Sequence, residues 1–291
     1  MPSLKAVRKR IGSVKNTQKI TKAMKMVAAA KLRKAQQAIV ELRPYALKTL
    51  EVLSSVAART SGDEDVHPLL AHREPKTVMI VVLTSDRGLA GAFNTNVNKT
   101  AYQLVRKLEA EGATVSVAVI GRKARDYFSR RKITIRQTFT GVFENLSVLK
   151  AGEIARVLID EYVREENQLD AIYLVYNEFK SAISQAVTSE RLLPIEPMEM
   201  PEGATGDFLY EPSKQALLDR LLPMYVEVEL FRALLESVAS EHGARMTAMD
   251  NATRNASELV SRLTLVYNRA RQAAITKELM EIIGGAEALK G

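Results

Sequence analysis

Stepping alternately three and four residues from Leu4, the chain sets Leu4, Val7, Ile11, Val14, Gln18, Thr21, Lys25, Ala28, Leu32, Ala35, Ile39 and Leu42 on one line. This heptad seam is apolar at its ends and polar or small in its middle. It predicts a helix from near Leu4 to the Ser54–Ala58 region, with a kink at Pro44. The other end of the chain repeats the spacing at greater length. From Leu217 it runs through Leu221, Met224, Val228, Phe231, Leu235, Val238, His242, Arg245 and Met249, and on through Ala252, Ala256, Leu259, Leu263 and Val266 to Gly284. Only His242, Arg245, Lys277 and Gly284 break that row. A helix of about 70 residues is roughly 100 Å long at 1.5 Å per residue, more than a globular core needs, so the pattern reads as a coiled coil.

Between the helices the texture changes. Ala58–Lys76, with Ser61, Gly62, Pro68 and Pro75, reads as a linker, and Pro197–Pro212 reads as a second. The short apolar runs Thr77–Leu83, Thr114–Ile120 and Ala171–Tyr176 predict buried strands. Asn94–Glu111 and Ala151–Glu166 carry apolar residues at helical spacing, and Gly112 stops the first of them. Strands alternating with helices imply a mostly parallel sheet with covering helices. Two helices with one apolar seam each find cover most economically in each other. If the intervening domain sits at one end, the pair must be antiparallel, with Leu4–Leu42 against the region after Arg245. The expected class is therefore α/β plus a long antiparallel coiled coil. The N- and C-terminal helices (1–58 and 213–287) pair, and a Rossmann-like α/β domain (77–195) lies between them. The longer helix is expected to outrun its partner and bare Ile275, Leu279, Ile282 and Ile283, which then need another protein around them.

Charge adds a second feature. Residues 1–40 hold eleven Lys and Arg and no acid, which leaves −3 of the net +8 for the other 251 residues. A charge run is ordinarily a solvated helix face, but one without interspersed acids fits an acidic partner: nucleic acid, anionic lipid or protein. A basic nucleic-acid-binding coiled coil is one reading, and it requires binding that falls steeply with salt. A nucleotide-dependent enzyme is another, through the loop Thr84–Asn94 after the first strand. That loop has too few glycines for the dinucleotide fingerprint and no Gly-Lys-Ser/Thr. His67 and His72 lack clustered metal-ligating companions, and His242 falls on the seam, where a polar residue fixes register. The absence of cysteine excludes disulfides and thiol chemistry, and no stretch of eighteen apolar residues spans a membrane.

Particular segments point further. Asn16–Gln36 resembles the N-terminal helix of the gamma subunit of F-type ATP synthases. Ser85–Asn94 resembles that family's loop, with Ala90 where many members have Cys. Ser240–Met249 and Val266–Ala288 resemble its C-terminal helix, most recognisably at Ile275-Thr276, Glu278, Glu281-Ile282 and Gly285-Ala286. The resemblance implies a non-catalytic rotor stalk that binds no cofactor. It implies alpha and beta subunits of a catalytic hexamer, an epsilon subunit and a membrane c-ring as partners, with no nucleic acid and no direct membrane insertion. Ion-driven rotation would force the beta sites through their states. The implied stator-facing positions are Arg8, Lys9, Met24, Lys31, Arg33, Lys34, Arg245, Arg271, Gln272 and Thr276, and the implied bearing is Ile275, Leu279, Ile282 and Ile283. With no cysteine, no insertion before Pro197 and no transit peptide, a bacterial member without thiol regulation is expected, peripheral on the cytoplasmic face of the inner membrane.

Overall fold

The computed structural model describes residues 3–58, 67–166, 168–196 and 214–288. Residues 59–66 of the first expected linker and all of the second lie outside the described residues. The element order is α1 (Leu4–Ala58), β1 (Thr77–Leu83), α2 (Phe93–Ala110), β2 (Thr114–Ile120), α3 (Arg122–Ser129), β3 (Ile135–Phe139), α4 (Val148–Val163), β4 (Ala171–Phe179), β5 (Gln185–Leu193) and α5 (Lys214–Ala288). Helix α1 continues through Pro44, and α5, 75 residues long, continues through Pro223. The chain divides into two compact units, Met1–Ala28 with Met246–Gly291, and Ala29–Arg245.

In the first unit the two end helices pair antiparallel. Thr21 faces Thr253 and Lys25 faces Asp250, so four residues forward along α1 are matched by three backward along α5. The seam supplies the contact: Val7, Thr21, Ala28, Met249 and Ala256 are buried. Its polar middle is satisfied across the pair. The Thr21 and Thr253 hydroxyls meet at 2.8 Å, and each also reaches a carbonyl of its own helix, Gln18 at 3.1 Å and Met249 at 2.7 Å. Lys25, the one basic residue of the block on the seam, donates to Asp250 at 2.6 Å, and Arg254 takes the other carboxylate oxygen at 2.6 Å. Apolar layers can slide along one another; a directional polar layer opposes sliding, the register device of coiled coils. Only Leu4–Ala28 belongs to the unit that holds the region after Arg245. The remainder of α1 faces earlier α5 residues, with Tyr45 donating to Met224 Sδ at 3.3 Å. The expectation that all of Leu4–Leu42 lies beyond Arg245 is corrected by the near one-to-one advance of an antiparallel pair.

In the second unit the sheet order is β3-β2-β1-β4-β5, parallel except for the β4–β5 hairpin. Strand β1 is buried on both faces, as its unbroken apolar run requires. Val78, Ile80 and Val82 face α2 and α3 through Val97, Ala101, Val105 and Phe128. Met79, Val81 and Leu83 face α4, the end of α1 and the first half of α5, through Leu158, Leu53, Leu222 and Leu230. This part of α5 is more than a coiled-coil strand: a second apolar line, Leu218, Leu222, Val226, Leu230 and Leu234, completes the sheet's core. Arg232 pins it there, donating to Glu229 at 2.8 Å, to Glu190 on β5 at 2.7 Å and to the Tyr176 hydroxyl on β4 at 3.1 Å.

Helix α4 begins three residues before the expected Ala151 because Ser147 caps it, its hydroxyl accepting from the Lys150 amide at 3.2 Å. Strand β4 outruns its expected end at Tyr176 to pair with β5. Elements α3, β3 and β5 have no counterpart in the apolar pattern: α3 buries only Ala124 and Phe128, and β3 and β5 are the half-covered sheet edges.

Gly121, at the turn from β2 into α3, has φ +95°, and a Cβ there would overlap the Thr84 carbonyl. Gly91 also has positive φ, +56°, but open space around it. Gly121→Ala is expected to destabilise by about 3 kcal/mol or more, with strain and clash combined, and Gly91→Ala by only about 1–2 kcal/mol. Denaturant midpoints of the two variants measured side by side test the difference.

Candidate functional site

The carboxyl ends of parallel strands are where α/β sheets bind ligands, and here that edge is closed by the protein itself. Thr84, buried at the end of β1, donates to the Ile120 carbonyl at 3.1 Å and accepts from the Ala124 amide at 2.9 Å. Ser85 donates through its amide to Asn94 Oδ1 at 3.0 Å and through its hydroxyl to the Arg87 carbonyl at 2.6 Å. Asp86, with a side chain only 4% exposed, accepts from the Arg122 amide at 3.0 Å and from the Gly141 amide at 2.9 Å, so one carboxylate ties three loops together. Arg122 N–H is the first amide of α3, the kind of donor that cradles a phosphate in a nucleotide-binding fold. An internal anion already holds it. The loop is therefore a structural clasp, and Ala90 and Phe93 press it onto Ala244 of α5.

Arg245 belongs to this clasp. Its guanidinium donates to Glu241 at 2.6 Å and to the Gly88 carbonyl at 3.2 Å, and it lies 3.4 Å from His242 Nδ1. Arg245 differs from the other basic residues singled out by sequence: its side chain is largely covered and hydrogen-bonded within its own unit. Burial, with Arg245 and Lys31 adding positive charge nearby, lowers the His242 pKa to about 4. The imidazole is neutral at neutral pH.

The remaining stator candidates sit on the helices. In the helix-pair unit Arg8 and Lys9 are exposed and Met24 is half-buried; in the sheet unit Lys31, Arg33 and Lys34 are exposed. In the helix-pair unit Ile20, Met26 and Val27 are exposed apolar side chains among the basic ones, which charge counting alone misses. Arg271, Gln272 and Thr276 are exposed near the end of α5. The expected bearing residues are bare: Ile275 is 57%, Leu279 55%, Ile282 69% and Ile283 49% exposed, and Met280 joins them. Such a concentration of large apolar side chains on one helix end needs cover from outside. Among the described residues no helix is long and apolar enough to cross a membrane, and no group of three or more metal-ligating side chains gathers.

His242 supplies a test of the clasp. Its folded pKa lies below the ordinary 6.5, so the unfolded chain binds the proton more readily between about 6.5 and 4. The stability it contributes is complete above 6.5 and declines as pH falls towards 4, by on the order of 1–3 kcal/mol. The stability difference between wild type and His242→Gln is therefore expected to shrink in wild type's disfavour from pH 7 to pH 4.5, as read from urea unfolding at each pH.

Known proteins share this architecture. A sequence profile of the family described as ATP synthase matches residues 3–289. The ATP synthase gamma chain of Anaeromyxobacter sp. (strain Fw109-5) is 56% identical over 292 residues, covering 100% of both chains. That of Sorangium cellulosum (strain So ce56) is 52% identical over 324 residues, again covering 100% of both. Among solved structures, a chain of the central stalk/c-ring structure of Tetrahymena thermophila mitochondrial ATP synthase superposes with a TM-score of 0.60 at 26% identity, covering 80% of this chain and 99% of that one. A chain of the Euglena gracilis mitochondrial ATP synthase shares the fold with a TM-score of 0.66 at 21% identity, covering 98% of this chain and 94% of that one.

Proposed function

The chain belongs to the ATP synthase gamma-chain family, and on that premise we propose that its paired end helices turn inside a ring of catalytic subunits as the shaft of a rotary motor. It is a non-catalytic subunit of an ATP synthase; the internally closed carboxyl edge of its sheet accords with chemistry done elsewhere in the complex. The observation that carries the reading is the antiparallel pair whose longer member ends in bare apolar side chains, in a chain matching gamma chains along its whole length.

Physically, a shaft drives its surroundings by differential contact: each orientation stabilises one conformation of the subunit it faces. The proposed stator is a hexamer of alternating alpha and beta subunits. Arg8, Lys9, Lys31, Arg33 and Lys34 are directed at acidic surface on beta, Met24 lies among them, and Arg271, Gln272 and Thr276 make contact near the far end of α5. Arg245 has a different role in this scheme, since it bonds Glu241 and Gly88: it holds the clasp against the helix where torque enters. Ile275, Leu279, Ile282 and Ile283 form the bearing, where smooth apolar contact resists tilting and permits rotation. The α/β domain 77–195 carries the contacts to an epsilon subunit and the membrane c-ring, which places the protein peripherally on the cytoplasmic face of a bacterial membrane.

Replacing Lys31, Arg33 and Lys34 together with Glu is expected to weaken coupling in the assembled complex while leaving unfolding free energy within about 0.5–1 kcal/mol of wild type, because exposed charges contribute little to folding. Loss of helical circular dichroism along with coupling would make those residues structural instead.

Ending the chain after Lys277 removes Leu279, Ile282 and Ile283 but leaves the paired region intact. Heat resistance and torque of the assembled complex are expected to fall more than ATP hydrolysis does. Leu259→Asp with Leu263→Asp breaks the seam itself and is expected to be far worse, since each sets a charge into a half-buried apolar position of the pair. If the shortened chain loses all turnover while the seam variant keeps it, the division into bearing and shaft is wrong.

A further inference from the structure

Residues 122–136, from α3 through β3, hold seven basic side chains and one acidic, a denser charge run than the N-terminal helix. Part of it is neutralised: Arg122 pairs with Asp86, Arg125 with Asp126 and Arg136 with Glu161. Among the described residues no carboxylate pairs with Arg130, Arg131 or Lys132, which stand consecutively where α3 turns into the sheet's edge strand. Arg131 is held in place. Its guanidinium lies 3.5 Å from the Tyr127 ring centroid and 5.5 Å from that of Tyr102, and it donates to the Tyr127 carbonyl at 3.2 Å. Arg106 approaches the Tyr102 ring at 5.8 Å from α2. Arg131, Tyr102 and Arg106, with Lys132, Thr134 and Glu109, line a hollow of about 280 Å³. Glu109 is engaged by Arg106 at 3.0 Å, which leaves the hollow positive.

The backbone supplies an independent sign. Lys132 has φ +56°, and α3 ends around it with the Lys132 amide donating to Ser129 at 3.2 Å and the Ile133 amide to Phe128 at 3.3 Å. This is the helix ending that glycine normally occupies, because a side chain is disfavoured in the left-handed region. A lysine kept at that position, between a stacked arginine and an open polar hollow, marks strain retained for the side chain.

We propose that the hollow between α2 and the α3–β3 corner is an anion site for a phosphate group, bound by Arg131, Lys132 and Arg106 with the Tyr102 and Thr134 hydroxyls as neutral donors. A planar guanidinium stacked on tyrosine presents its remaining N–H groups in the fork that phosphate oxygens match, and the lysine adds a point charge. A hollow of about 280 Å³ matches a phosphate or diphosphate, free or as the phosphate of a lipid headgroup. The proposal is independent of the shaft reading, since it uses no residue assigned to the shaft, clasp or bearing.

The test titrates the full-length protein with pyrophosphate by calorimetry, and separately with vesicles of phosphatidylglycerol or phosphatidylcholine. Wild type is expected to bind pyrophosphate saturably. Arg131→Gln and Lys132→Gly are each expected to weaken that binding roughly tenfold or more, as for loss of a hydrogen bond to a charged group. Lys132→Gly also relieves the backbone and is expected to melt at the same temperature as wild type or higher. Lys132-dependent binding to phosphatidylglycerol vesicles, competed by pyrophosphate, identifies a headgroup as the source; pyrophosphate binding without vesicle binding identifies free phosphate. No saturable binding of either probe, or equal binding by wild type and both variants, overturns the proposal. So does a fall in the melting temperature of Lys132→Gly, which would make the lysine a structural cap.

Discussion

A long helix with one apolar stripe cannot stand alone in water: its backbone is satisfied within itself, but the stripe demands a partner along its whole length. In this chain two such helices lie at opposite ends of the sequence, and each covers the other in antiparallel register. Most of the architecture follows from that demand. Residues 214–245 of α5 meet it with more than one surface, giving a second apolar line to the sheet as well as a seam to α1. Beyond Arg245 only the seam remains, and the burial of α5 thins to Met249 and Ala256 before the bare end begins. A single helix thus changes from core element to coiled-coil partner to uncovered apolar tip, by losing neighbours and not by changing its own conformation.

The same economy explains why an α/β sheet of ligand-binding type does no chemistry. Parallel strands with helices on both faces leave loops at their carboxyl ends, and helix α3 begins there with amides pointing outward. Asp86 fills that position. Its carboxylate brings its own negative charge to the amides of Arg122 and Gly141, so the loops are fastened to each other instead of to a substrate. Gly121 permits the closeness, since any side chain there would strike the Thr84 carbonyl. Arg245 and Glu241 then connect the clasp to α5 through the Gly88 carbonyl. A rigid joint between sheet and helix is what a torque-bearing part requires, and buried, mutually satisfied polar groups provide it.

Charge is divided in a comparable way. The basic side chains of α1 point away from the seam, with one exception, Lys25, whose place on the seam is explained by Asp250 opposite. The α3–β3 corner carries its positive charge on a different surface and with a different construction, guanidinium on aromatic ring, so the two basic regions have separate physical roles.

How much of this was legible before folding depended on how often each signal repeats. The two seams recur over many heptads, and strands β1 and β2 are unbroken apolar runs buried on both faces, so periodicity alone located both long helices and the bounds of those two strands. The bare residues from Ile275 to Ile283 were legible for the same reason, since a seam that outlasts its partner must end uncovered. Elements α3, β3 and β5 left no such trace, because a sheet edge is covered on one side only and tolerates Arg, Gln and Ser where a central strand needs Val and Ile. The role of Asp86 was invisible because its partners lie 36 and 55 residues away, and no local pattern records which distant amides a carboxylate will meet. Arg245 read as one more cation on a helix, and only the loop arriving beside it, with Gly88 and the neighbouring Glu241, turned it into a largely covered joint. Local periodicity determines which residues must be covered; the tertiary structure alone decides what covers them, because cover is a relation between segments that the chain order keeps apart.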